Sequence, residues 1–592
     1  MQNLLNHPFD NKIVMTKKRA IKKDLLLSSN NFLDKNIAIL GGSTTKDIKD
    51  ILEIFLLKSN IKPNFYESEY GRFWEDAVFK NETLERFNPD LFYIHTSNRN
   101  ILYYPDMNCS KEDVDKITAN EFDRYKKMWE SIREKYGCII IQNNFEMPSF
   151  RILGNLDSTD YRGRLNYISK LNGMFADYAQ NNSDIIINDI NYLSASYGLE
   201  RWSDYQNWYM YKYSLSLDAI PTLSFNISNL IKAIYGKSKK VLVLDLDNTL
   251  WGGVIGDDGQ NGIELGEETS IGQAYKEFQE YIKMHKEIGI LLSVNSKNDI
   301  ENALSGLSHP SGILGVKDFL VIKANWNNKD ININEIAHEL NLGADSFVFI
   351  DDNIVERDIV SKGIEGIAVP NIGEVESYIN TIDKGGYFEV IKLSEEDLLR
   401  NKTYKTNVQR MGVQKNFIDY DDFLKSLEMI VEIKSFTPVY VPRITQLTNK
   451  TNQFNLTTKR FSQTDIELIM EDNSFIKLYG ILKDKYGDNG LTSVVIGRVD
   501  NEVMHIDLWL MSCRVLKRNL EFAMMDELIA SAIINNVSII KGYFIKTKKN
   551  NMVALFYQDL GFKKLDENNG NSTWELKVTE YNRLNDLIKV IN

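Results

Sequence analysis

Cysteine is scarce: the 592 residues hold three, Cys109, Cys138 and Cys513. So few exclude a disulfide framework and a four-thiolate zinc site, and they indicate a reducing, cytoplasmic setting. Proline is scarce too, at ten, which excludes a proline-rich linker protein, and the 34 glycines follow no collagen-like period. Nowhere do the roughly 18 apolar residues of a membrane-spanning helix run together, so no membrane partner is expected. The basic cluster Lys17-Lys18-Arg19 and Lys22-Lys23 lacks the apolar flank of a signal peptide and reads as a solvated helix face. Positive charge is in deficit as well. Lys and Arg number 70 against 82 Asp and Glu, a net charge of −12. That excess of anions argues against a phosphate-backbone footprint, and hence against nucleic acid as a partner.

What is present is an ordinary globular balance, 43% apolar and 26% charged, over a length that predicts about three or four domains. The pattern divides the chain into a helical arm over 1–35, an α/β domain over 36–235, a second α/β domain over 236–380, a helical connector over 381–435 and a C-terminal α+β domain over 436–592. In the first α/β domain, strands are predicted at 37–40, 91–94, 138–141 and 185–188, with helices between them, the sign of a parallel sheet. In the second, strands fall at 241–244, 289–294, 319–322 and 347–350. A helix follows Ser270, which stands with Gln273 at capping-box spacing, and another over 331–341 is stopped by Gly343.

The chemistry lies between residues 245 and 352. Four apolar strands each end in polar residues, at the edge where open parallel sheets carry their sites. The first gives Asp245-Leu246-Asp247-Asn248-Thr249 and the second Asn295-Ser296-Lys297-Asn298. The third is followed by Asn325-Trp326 and Lys329, and the fourth ends in Asp351-Asp352-Asn353. Carboxylates converging on one edge repel unless a cation neutralises them, and all-oxygen ligands select a hard ion such as Mg²⁺. A lysine and a serine nearby suit phosphate oxygens, and an aspartate can itself become phosphorylated.

This ordered set resembles the haloacid dehalogenase superfamily, whose four motifs it matches in order. The resemblance implies that Asp245 is the nucleophile and Asp247 the general acid/base. It also implies that Ser296 and Lys329 hold the phosphoryl group, and that Asp245, Asp247, Asp351 and Asp352 form the Mg²⁺ site. Thr249, Trp251, Asn295, Lys297, Asn298, Asn325 and Arg357 are the expected substrate contacts. The run Asp245 to Asp257 with Trp251-Gly252-Gly253, together with Asn325-Trp326, Lys329 and Phe349-Ile-Asp-Asp-Asn353, is similar to the FkbH-like branch. The similarity continues at Lys450 to Thr458, at Gly487-Asp-Asn-Gly490 and at Met511-Ser-Cys-Arg-Val515. The family activity this implies is removal of phosphate from a small phosphorylated acid, 1,3-bisphosphoglycerate, and delivery of the acyl unit to an acyl-carrier protein through a thioester. Members that load the glyceryl unit place a cysteine before the second-motif serine. Here that position is Asn295, whose carboxamide forms no thioester. A plain phosphatase without transfer is the alternative, and a non-catalytic scaffold a more distant one.

Gly41-Gly42-Ser43 after the first strand resembles the first block of an SGNH hydrolase, and Thr96-Ser97-Asn98 a later block. A hydrolase needs a histidine base near the serine. No histidine falls between 96 and 284, and His95 stands in a different block, so the domain is expected to be a degenerate, inactive SGNH fold. The C-terminal domain resembles a GNAT acyltransferase, with a helix from about 518. Its pyrophosphate loop would be Arg514-Val-Leu-Lys517-Arg518-Asn519, in which both glycines are replaced. The expectation is no free coenzyme A, a cationic run for a phosphopantetheine arm or a carrier surface, and a buried structural thiol at Cys513. The fold class is α/β throughout: SGNH-like, Rossmannoid and GNAT-like domains in series.

Overall fold

The computed structural model describes the chain except residues 29–31, 415–416, 548 and 592. Two compact units divide it, Met1–Ile234 and Tyr235–Asn592.

The first unit is built on a parallel five-stranded sheet. Its strands are β1 (Leu33–Gly41), β2 (Ile61–Glu67), β3 (Leu91–His95), β4 (Ile139–Asn143) and β5 (Ile185–Asn188), in the order β2-β1-β3-β4-β5. Helices cover both faces of such a sheet, so its central strands read as unbroken apolar runs; Ile37 to Leu40 and Leu91 to Ile94 are wholly buried. Strand β2 escaped the sequence pattern. It alternates apolar with polar residues and contains Pro63, which an edge strand tolerates because one side of its ladder is unpaired. The basic cluster on helix Asn11–Ser28 corrects the expectation of a purely solvated face. Lys18 pairs with Asp47 at 2.6 Å and Asp50 at 2.8 Å, and Lys22 with Glu53 at 2.6 Å, tying this helix to Lys46–Lys58. Of the five residues of the cluster, Lys17, Arg19 and Lys23 stay exposed.

The second unit contains a parallel sheet of β6 (Val241–Leu244), β7 (Leu291–Ser296), β8 (Val321–Ala324) and β9 (Phe347–Ile350), in the order β8-β7-β6-β9. The chain winds outward from β6 through β7 to β8, then returns to β6's other side as β9. That reversal creates a crevice at the strands' C-terminal ends. Both helix limits differ from the sequence reading. Helix Ser270–Glu287 is capped one residue earlier, by Thr269, whose hydroxyl accepts from the Gly272 amide. Helix Lys329–Leu340 begins at Lys329 and ends at Asn341 in the left-handed conformation, before Gly343 is reached.

The rest of this unit is a mixed sheet of β10 (Ile430–Ser435), β11 (Phe475–Asp484), β12 (Gly487–Asp500), β13 (Val503–Met511), β14 (Ile539–Phe544), β15 (Lys563–Asn568), β16 (Asn571–Lys577) and β17 (Lys589–Ile591). Its order is β15-β16-β14-β13-β12-β11-β10-β17, so it already starts at 430. Lys517 and Asn519, standing where the acyltransferase pattern has glycine, keep glycine-like backbones with φ of 62° and 59°. Arg518 between them is buried and ion-paired to Asp484 at 3.0 Å. It is therefore not part of an exposed cationic run.

Candidate active site

Register alone brings the first two carboxylates together. Strands β6 and β9 run parallel with Leu244 opposite Ile350, and the amide of Asp245 donates to the Ile350 carbonyl at 3.0 Å. The next residues, Asp245 and Asp351, therefore leave the sheet side by side, both buried. One carboxylate oxygen each of Asp245, Asp351 and Asp352 lies within 4.8 Å of the others. Lys329, the first residue of its helix and 2% exposed, bridges two of them. Its Nζ is 2.8 Å from Asp245 Oδ2 and 2.5 Å from Asp351 Oδ2.

The electrostatics follow from burial and crowding. Burial, with the Asp245 charge adding to it, pushes the Asp351 carboxyl up to about 6, against the pull of Lys329 and the Asn353 amide. Asp352 is raised for the same two reasons. Burial also works against the charge of Lys329, yet the carboxylates of Asp245 and Asp351 outweigh it and hold the ammonium above the ordinary lysine range. One lysine does not satisfy three carboxylates. Asp245 Oδ1 is buried with no hydrogen-bond partner among the described residues. An orphaned carboxylate oxygen beside two further carboxylates, with only oxygen donors present, fits a hard divalent cation.

Asp247 lies outside that trio, which corrects its assignment as a side-chain metal ligand. Its Oδ1 accepts from Trp251 Nε1 at 2.9 Å and from the Ile255 amide at 3.0 Å, and its Oδ2 accepts from Asn298 Nδ2 at 3.0 Å. Burial nonetheless raises it above the ordinary carboxylate range, as a proton donor requires. Trp251 is wholly buried. Its ring packs so closely on Gly306 that a Cβ there would meet it at 2.6 Å. It fixes Asp247 and presents no face to a substrate.

Several expected substrate contacts are likewise committed to the protein. Asn295 is wholly buried. Its amide donates to the Lys329 carbonyl at 2.9 Å, and its oxygen accepts from Asn332 at 3.0 Å. Asn325 also accepts from Asn332, at 2.9 Å. Arg357 donates to the carbonyls of Asp351 and Asp352, both at 2.7 Å, clamping the loop that carries them. Thr249 is buried, and its hydroxyl accepts from the Asp352 amide at 3.2 Å. Lys297 is ion-paired with Glu356 at 2.7 Å. Ser296, at the end of β7, is the exception: its hydroxyl has no hydrogen bond to the described residues and stays available. Asn332 was not anticipated. It sits one turn after Lys329 on the same helix face, the spacing that could have flagged it.

A second cluster lies in the first unit. Ser43 Oγ is 3.1 Å from Ser214 Oγ, which is 3.1 Å from His95 Nε2, and all three residues are buried. His95 thus reaches Ser43 only through Ser214, and burial lowers its pKa to about 4, which keeps the ring neutral.

A family model described as FkbH, N-terminal domain, matches residues 36–232. The structure is similar to that of the N-terminal part of protein BF1531 from Bacteroides fragilis, containing a phosphatase domain complexed with Mg. The two are 30% identical, with a TM-score of 0.59, over 63% of this chain and 98% of that one. Two acetyltransferases align with about a quarter of this chain, each at a TM-score of 0.21. The Vibrio cholerae spermidine N-acetyltransferase is 13% identical over 26% of this chain and 97% of its own. A GNAT-family acetyltransferase from Streptococcus pneumoniae is 12% identical over 25% and 98%. No curated protein matches.

Proposed function

The chain belongs to the FkbH-like family of the haloacid dehalogenase superfamily, and from that premise we propose that it is an Mg²⁺-dependent cytoplasmic enzyme. It removes the ester phosphate from a small phosphorylated acid, 1,3-bisphosphoglycerate by family, and the acyl unit passes to the thiol of a holo acyl-carrier protein in secondary-metabolite biosynthesis, the thioester forming as the C–O bond to the remaining acyl phosphate breaks and phosphate leaves. The observation that carries the phosphatase half is Asp245 Oδ1, a buried oxygen with no partner beside two more carboxylates.

In this reading a carboxylate oxygen of Asp245 attacks phosphorus, and the bond from phosphorus to the leaving oxygen breaks. Asp247, held by Trp251, Ile255 and Asn298 and raised in pKa, gives that oxygen its proton. Water then attacks the aspartyl-phosphate and returns a proton to Asp247, freeing phosphate and Asp245. Lys329 and the Ser296 hydroxyl balance charge on the phosphoryl oxygens. Mg²⁺, held by Asp245, Asp351 and Asp352, would neutralise the carboxylates and draw charge from the phosphoryl group.

A second reading, phosphate release without transfer, is favoured by Asn295. Both ends of its carboxamide are taken up inside the protein, and no thiol stands there. One experiment tests both readings. The protein is incubated with 1,3-bisphosphoglycerate and a holo carrier protein, and phosphate release and carrier mass are followed together. Phosphate with a glyceryl mass shift is expected, both lost in Asp245→Asn and in excess EDTA. Phosphate without a mass shift establishes the second reading. Phosphate release surviving Asp245→Asn or EDTA overturns the centre.

A further inference from the structure

The two segments that the phosphatase chemistry leaves unexplained, Thr451 to Phe454 and Met511 to Arg514, meet in one cavity of about 120 Å³ in the second unit. That is close to the roughly 150 Å³ of an engineered cavity that admits benzene. Its floor is the opposite edge of the sheet from the carboxylates. Lys240 immediately precedes β6, and Asp345 and Ser346 precede β9. Lys240 precedes Asp245 by five positions, roughly 16 Å at ~3.3 Å per strand residue. The cavity is thus distinct from the phosphatase centre.

Its lining is strongly cationic, six basic side chains against three carboxylates. Asp397 pairs with Arg400 and, at 3.3 Å, with Lys450; Glu396 lies 3.5 Å from Arg443, and Asp345 pairs with Lys549. Lys240 and Arg514 have no carboxylate partner among the described residues. The ammonium of Lys240 has no hydrogen bond either, and Arg514 reaches only Ser512 Oγ, at 3.2 Å. The surplus shows in the electrostatics. Burial, with Arg400 and Lys549 adding to it and the Cys513 thiol and Asp345 carboxylate pulling the other way, holds Lys240 below the ordinary lysine range. Burial likewise takes Arg443 down to about 10 and Lys450 to about 8. Gln453 Oε1, a buried polar atom in the lining, lacks a hydrogen-bond partner among the described residues, and Arg443 Nε has only the 3.5 Å contact with Glu396. A concave site with uncompensated cations and unfilled hydrogen-bonding positions is complementary to a compact anion of more than one charge. A guanidinium fork matches phosphate oxygens in particular.

We propose that this cavity binds a phosphate-bearing anion, held chiefly by Lys240 and Arg514. Cys513 lines the same cavity, its Sγ 3.4 Å from Tyr404 Oη, and so reports on occupancy. The phosphate could belong to a free small metabolite or to a phosphopantetheine arm, and the test separates them.

The rate of Cys513 alkylation by iodoacetamide in the full chain is measured by peptide mass spectrometry, with EDTA present to silence the phosphatase centre. Inorganic pyrophosphate and 4′-phosphopantetheine form separate arms against KCl of equal ionic strength. Protection of about tenfold at ten times Kd is expected in at least one arm by mass action, and the arm that protects identifies the source. Lys240→Met and Arg514→Ala are each expected to raise the half-protecting concentration about tenfold, one charged hydrogen bond's worth. Phosphate release at the catalytic centre, assayed with Mg²⁺, stays unchanged in both variants and confirms that they fold. Protection no greater than in KCl, or unaltered in both folded variants, overturns the proposal.

Discussion

Lys329 Nζ lies 2.5 Å from Asp351 Oδ2, 22 residues apart in sequence and both buried. The same ammonium reaches Asp245 at 2.8 Å, so a single cation holds two carboxylates that would otherwise repel in a medium of low dielectric. Removing it leaves uncompensated buried charge, which typically costs about 3–5 kcal/mol. Lys329→Met is therefore expected to lower the urea midpoint sharply in EDTA, with much of the loss recovered in Mg²⁺. Phosphate release should fall by about 10²-fold or more. A variant as stable as wild type in EDTA would contradict this account.

Asn298 is expected to act through Asp247. Its amide donates to Asp247 Oδ2 at 3.0 Å, and Asn298→Ala frees one edge of that carboxyl while leaving Trp251 and Ile255 on the other. The expected result is a fall in kcat of about 10–100-fold with KM little changed and a displaced acidic limb of the pH–rate profile. A change confined to KM would place Asn298 on the substrate instead.

In the first unit, burial pushes the Glu146 carboxyl up to about 7, against the backbone amides of Glu146 and Asn98 and the charge of Arg99. The unfolded chain ionises this group near 4.5. Its contribution is therefore fully present below about pH 4.5 and lost as pH rises through about 7, a swing on the order of 3 kcal/mol. Glu146→Gln removes that swing. Urea midpoints of the two proteins should diverge in the variant's favour between pH 5 and 8.5, and parallel curves would refute the assignment.

The side chain of Asp484 is completely buried between Arg410 at 2.7 Å and Arg518 at 3.0 Å. Asp484→Ala strands both guanidinium groups, and a loss of about 3–5 kcal/mol in equilibrium unfolding is expected. Arg518→Ala, which leaves Arg410 as a partner, should cost less. Equal costs would show that the two arginines do not share the carboxylate.

Much of the site is legible locally. A run such as Val241 to Leu244 followed by Asp245 announces a buried strand and its polar end without knowledge of any other strand. Four such ends in order fix the parallel sheet and the edge on which its chemistry lies. The parts that were not legible depend on direction and on distant partners. The carboxylates of Asp245 and Asp247 differ by two residues, yet one faces the cation trio and the other faces Trp251 and Asn298. Nothing in their spacing decides which. Asn295, Asn325 and Arg357 occupy motif positions but spend their hydrogen bonds on Lys329, Asn332 and the Asp351–Asp352 backbone.

By itself the sequence determined the order of strands and helices in the central phosphatase-like core, the acidic ends of β6 and β9, and the absence of a thiol beside Ser296. Those are consequences of local apolar periodicity and residue identity. The tertiary structure decided what stands next to what. It placed His95 one serine away from Ser43, and it packed Cys513, distant in sequence, against the core cluster that contains Val241 and Phe347. Side-chain partners separated by 100 residues or more are set by how helices and sheets pack. Apolar burial drives that packing without encoding, in any short segment, which polar groups it will bring together.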